Sequence, residues 1–106
     1  MTHRFQAIQL LLAVAVGAAP VAAVASMNLA LDKGCLSCHG TPPRGKAPTI
    51  ADLAARMASA KGNDAETAKL SERLREHHLF GGVPAHERLS ADEAERFVRW
   101  LVDGGH

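Results

Sequence analysis

Lys33-Gly34-Cys35-Leu36-Ser37-Cys38-His39 is the stretch from which the rest of this chain can be read. Its two cysteines stand three residues apart, and a disulfide between them would close a tiny loop and restrain little of the unfolded chain. Another use has to be found for the thiols. A redox dithiol of this spacing usually sits at a strand-to-helix junction in a β-α-β setting, and no segment here alternates with the period of two that a strand requires. A structural zinc site would want a second ligand pair at similarly short spacing, whereas His77 and His78 are adjacent. The remaining reading is C-x-x-C-H, the attachment pattern of a covalent haem: each thiol adds to one vinyl group, and the histidine that follows brings its imidazole under the iron.

Outward from the motif, the N-terminal side has the shape of an export leader. His3 and Arg4 make a short positive start, and Ala7 to Val24 are apolar apart from Gln9, Gly17 and Pro20. Ala23-Val24-Ala25 then supplies the small-x-small pattern that a signal peptidase accepts. We expect a leader over 1–25, cleaved after Ala25, and one domain over 26–106 in the periplasm. The alternative is a retained anchor, since about 18 apolar residues can just cross a bilayer core, and only then would the membrane be a partner. An oxidising compartment also suits a chain with two cysteines.

The chain carries 12 Lys and Arg against 11 Asp and Glu, and loss of Arg4 with the leader leaves 11 against 11. With no basic run and only one Trp and three Phe, nucleic acid is not an expected partner. A domain of about 80 residues buries a modest core, so a large covalently bound apolar group would add much of the missing contact.

Helices fit between the glycine- and proline-rich marks at Gly34, Gly40 to Pro48, Gly62-Asn63 and Gly81 to Pro84. Met27 to Lys33 predicts about two turns of helix ending at Gly34. Ile50, Leu53, Ala54, Met57 and Ala58 form an apolar stripe behind a Thr49/Asp52 capping box. Asn63 with Glu66 opens a second stretch, whose stripe of Leu70 and Leu74 continues to His77 or His78 and so predicts that one of them faces the core. Ser90 with Glu93 opens the third, running to Gly104 with Ala94, Phe97, Val98, Leu101 and Val102 on one face. The domain should be all-α.

In this order of features, residues 27 to 104 resemble the small bacterial class I cytochromes c. The shared pattern is a short helix into Lys33-Gly34-Cys35, a loop holding Pro48, two middle helices, a Gly-Gly and proline loop, and a last helix from Leu89-Ser90-Ala91-Asp92-Glu93 through Trp100-Leu101. The resemblance implies a fold of about four short helices around one haem c per chain, with the first and last helices crossing. It also implies that the backbone carbonyl of Pro48 holds the ring of the proximal ligand His39.

The pattern departs from that family at the distal side. The loop before the last helix normally reads Pro-Met there, with the methionine sulfur as sixth ligand, but here Pro84 is followed by Ala85. Met57 reads as core and Met27 is badly placed. His86, one residue after Ala85, is the first distal candidate, and His77 and His78 are weaker ones. Imidazole in place of thioether lowers the reduction potential, because it stabilises ferric iron better.

The function expected from this is periplasmic one-electron transfer without a substrate, and so without enzymatic activity. Its partners would be redox proteins, including periplasmic or membrane-bound oxidoreductases, of one of which the chain could be the cytochrome subunit. A five-coordinate haem that binds a diatomic gas is the second reading, motivated by Ala85. A peroxidase using His77, His78 and Arg75 is the third. Phe97 and Trp100 should pack on the haem or the first helix and Phe80 should close a haem edge, with Arg44, Lys46 and Lys61 as candidate rim charges.

Overall fold

The computed structural model describes residues 21–106, with side chains from Ser26 onward. The expected leader and its cleavage point lie outside that description, apart from the backbone of 21–25, which is helical. Six helices follow in order: α1 (Val21–Asp32), α2 (Leu36–His39), α3 (Ile50–Met57), α4 (Asp64–Arg75), α5 (Pro84–Glu87) and α6 (Ala91–Val102). A single 3-10 turn, Ala58–Ala60, extends α3. No strand occurs among the described residues. Four of the helices have eight residues or more, and α2 and α5 are single turns.

The helix starts are set by side chains that satisfy the free N–H groups of a first turn. Thr49 and Asp52 form the reciprocal capping box of α3, as Ser90 and Glu93 do for α6. Asn63 Oδ1 accepts from Glu66 N at 3.0 Å to start α4. Gly34, with φ at +70°, lets the chain leave α1 in a left-handed conformation that a side chain would disfavour.

Helix α6 is the element the others pack on. It buries Ala94, Phe97, Val98, Trp100, Leu101 and Val102, and α1, α3 and α4 all lie against it. Leu29 and fully buried Ala30 of α1 join Phe97, Trp100 and Leu101 in one cluster, in which the Phe97 and Trp100 rings are 5.7 Å apart. Val98 and Val102 form a second cluster with Ala60, packed against Leu70 and Leu74 of α4. Helix α4 also buries Thr67 and Ser71, whose hydroxyls donate to the carbonyls four residues back, Asn63 and Thr67, so that neither is left unsatisfied.

One expectation fails in α4. Its apolar stripe does not reach the histidines: the helix ends at Arg75, Glu76 turns away with ψ at 130°, and His77 and His78 are both exposed. Tertiary bonds break the helix there. Arg75 Nε donates to Leu89 O at 2.9 Å, and the His78 N–H is taken by Glu87 Oε1 at 2.9 Å rather than by a carbonyl of its own helix.

Between α1 and α6, Lys33 Nζ meets Glu93 Oε2 at 2.8 Å while Glu93 Oε1 accepts from Ser90 N at 3.1 Å. The hydrogen bond from Lys33, then that from Ser90, lowers the Glu93 carboxyl from its ordinary 4.5 to about 2. A lowered folded-state value means that the contribution is present above the ordinary value and is lost as pH falls through about 2. The variant Glu93→Gln should therefore be less stable than the parent at pH 7, with the gap in urea midpoints closing as pH falls from about 4.5 toward 2.

Candidate cofactor site

Helix α2 is one turn long, and that fixes the motif's geometry. Residues 35, 38 and 39 are separated by three and four positions, so all three side chains fall on one face of the turn. The turn is tied to what precedes it by Cys35 N–H to Ala30 O at 2.9 Å, and closed by His39 N–H to Cys35 O at 2.9 Å. Arg44 N–H then donates to Cys38 O at 2.8 Å, which folds the following loop back under the motif.

That loop brings Pro48 to His39. The His39 Nδ1–H donates to Pro48 O at 2.6 Å, an atom whose position is set by the α3 capping box beginning at the next residue. With Nδ1 carrying the proton, Nε2 keeps a free lone pair and its ring has a fixed orientation.

Cys35, Cys38 and His39 line a cavity of about 390 Å³ at the meeting of α2, α3, α4, α5 and α6. This volume lies in the range of about 300–1,000 Å³ typical of cofactor sites. The walls are apolar, formed by Leu53 and Met57 of α3, Leu74 of α4, and Phe97, Val98 and Leu101 of α6. Met57, read as core, belongs both to the core and to this wall. Burial raises the Cys35 thiol, the opposite of the activation that a nucleophilic redox dithiol needs. Among the described residues no group of three or more His, Cys, Asp or Glu side chains could hold a metal ion, as a zinc site would require.

His86 lines the same cavity. It lies in α5, the single turn started by Pro84, and its ring stands 6.1 Å from that of His39, centre to centre, with the planes 17° apart. Side chains in contact approach to about 3.5–4.0 Å, so these rings are not in full face contact. Metal–imidazole bonds of about 2.0–2.1 Å, with the ring nitrogen about 1.1 Å from the ring centre, put the centres of two imidazoles on opposite sides of one ion about 6.2–6.4 Å apart. The observed centre-to-centre distance of 6.1 Å lies close to that separation. Burial above all lowers the His86 pKa, which favours the neutral ring that a metal binds. The donor set and the apolar walls thus fit a haem.

The other sequence candidates lie elsewhere. His77 is exposed with Nδ1 3.7 Å from Glu87 Oε2, His78 is exposed, and neither lines the cavity. Phe80 and Leu79 point outward at 92% and 96% exposure, so Phe80 closes no edge. Phe97 lines the cavity, whereas Trp100 packs with Leu29 and Ala30 of α1. Of the rim charges, Arg44 borders the cavity; Lys33 does too, tied to Glu93. Sequence reasoning missed Glu87, because an acidic residue in a short loop carries no pattern that reveals its partners.

The chain is 30% identical over 74 residues to cytochrome c-551 of Pseudomonas aeruginosa, an alignment spanning 67% of this chain and 68% of that one. No protein-family profile matches, and no solved structure matches significantly.

The difference in burial among the histidines can be read chemically. Diethyl pyrocarbonate at neutral pH should modify exposed His77 and His78 well before half-buried His86, as followed by peptide mass mapping of the purified protein.

Proposed function

The chain belongs to the small c-type cytochromes, and we propose that it carries single electrons between proteins of the periplasm, with one haem c joined to Cys35 and Cys38 and its iron held between His39 and His86. The observation that carries this reading is the 6.1 Å pairing of His39 and His86 across the apolar cavity. Bound there, the haem supplies an iron that changes by one electron between ferrous and ferric states.

The chain's own residues then do the rest. Pro48 O holds His39 in one tautomer and makes its Nε2 a better donor. Leu53, Leu74, Phe97 and Leu101 exclude water from the site and so limit solvent reorganisation when the charge changes. His86 would be the second protein ligand of the iron and so leave no open site at which a substrate or gas could bind. Two imidazoles set a lower potential than the histidine–methionine pair of relatives with Pro-Met in this loop.

Electrons need a short way in. Cys38 is exposed while Cys35 is half-buried, so the attachment turn itself reaches the surface, bordered by exposed Arg44. Such encounters are small and transient, and no large apolar docking face is needed. The chain would serve as a free carrier or as the cytochrome subunit of an oxidoreductase. Placement in the periplasm follows from the leader read over 1–25.

Visible spectra of the cofactor-loaded protein test the reading. The parent should be low-spin in both oxidation states, with the ferrous form taking up carbon monoxide only as fast as His86 leaves. His86→Ala should be high-spin and bind the gas at once, and His86→Met should remain low-spin at a raised potential. Immediate binding by the parent would favour the gas-binding reading. A low-spin His86→Ala would move the ligand to Met57, whose side chain also lines the cavity.

A further inference from the structure

We propose that Glu87 is the positioning residue that holds His86 in place, by locking the loop over 76–83 to the α5 turn; the inference rests on His86 being the distal ligand. Helix α5 has four residues, buries none of them, and is too short to be stable by itself. The loop leading into it is not anchored by burial, since Leu79 and Phe80 are almost fully exposed. Burial of Leu89 anchors the chain just after the turn, so something other than packing must hold the side that faces the loop.

The bonds around it show what does. On the far side, Arg75 Nε donates to Leu89 O at 2.9 Å and ties the end of α4 to the residue just after the turn. On the loop side the tie is the Glu87 carboxylate, whose side chain is only 21% exposed. Its Oε1 accepts the His78 N–H at 2.9 Å, and Oε2 lies 3.7 Å from His77 Nδ1. The peptide N–H groups of His86 and Glu87 both donate to Val83 O, at 3.0 and 3.2 Å, so holding the Glu87 side chain also holds the peptide that carries His86.

Gly82 makes room for this contact. A Cβ at that position would lie 2.5 Å from Glu87 Oε1 and 3.2 Å from the Cβ of His78. The end of a glutamate side chain is what would have to move, so Gly82→Ala displaces the carboxylate without removing it. Two separate substitutions thus reach the same lock from opposite sides.

The readout is the rate at which ferrous, cofactor-loaded protein takes up carbon monoxide, which reports how often the distal ligand leaves. His86→Ala sets the fully open limit. Glu87→Ala should speed uptake on the order of tenfold, the loss expected from a hydrogen bond to a charged acceptor, while Glu87→Gln, which still offers an oxygen to His78 N–H, should stay within about twofold of the parent. Gly82→Ala should fall between, and adding it to Glu87→Ala should change nothing more, because both act through one contact. Asn63→Ala, which removes the α4 cap at a distance from the site, should lower the melting temperature and leave the rate alone. Uptake by Glu87→Ala at the parent rate, or an equal rise in Asn63→Ala, overturns the proposal while leaving His86 as ligand. A parent-like His86→Ala overturns the ligand assignment and this inference with it.

Discussion

The hollow of about 390 Å³ between the helices is the constraint on which the rest of the structure depends. The described chain has few large apolar side chains with which to fill it: the largest that are fully buried are Leu101 and Val98, and Ala30, Ala54, Ala60 and Ala94 make up much of the remaining core. Apolar surface stabilises only when removed from water, by about 25 cal/mol per Å². Leu53, Met57 and Leu74 on the walls are only half-buried and gain the rest of that stabilisation when something apolar covers them. The prosthetic group proposed for Cys35 and Cys38 would therefore be structural as well as functional, filling the middle of a core whose two clusters both border the cavity.

Helix α6 makes that arrangement possible, because it serves both the core and the cavity. Phe97 and Leu101 belong to the α1 contact and also face the hollow, and Val98 joins the α4 cluster while lining the same space. The Ser90/Glu93 box starts α6, and the Lys33–Glu93 pair ties that start to the residues just before the motif. Sequence, helix start, crossing and site are thus linked through one glutamate.

Much of this is legible in the sequence because it is local. The capping boxes at Thr49 and Ser90, the Asn63 cap, the end of α1 near Gly34 and the apolar face of α6 each depend on residues three or four apart. The face shared by Cys35, Cys38 and His39 is local in the same way. The loop over 76–83 is not. There the stripe through Leu70 and Leu74 gives the wrong continuation, because the Arg75–Leu89 and Glu87–His78 bonds join residues 14 and nine apart and override helical propensity. The outward turn of Phe80 and the dual place of Met57, in core and wall, likewise depend on the assembled fold.

The two histidines facing each other are held by unequal means, and that inequality bears on how such a site works. His39 sits in a turn bonded back to α1, beside Cys35 and Cys38, with its ring pinned by a carbonyl that the α3 cap fixes. His86 sits in a four-residue turn with no buried residue, held by contacts at its two ends. Segments with few buried contacts open at lower free energy than the global fold, so any loosening of the site begins on the His86 side. If both histidines ligate as proposed, an electron carrier benefits when both stay bound in both oxidation states, since little then has to move as the electron passes. On the proposed ligation by His86, that rigidity would depend on how firmly α5 is held.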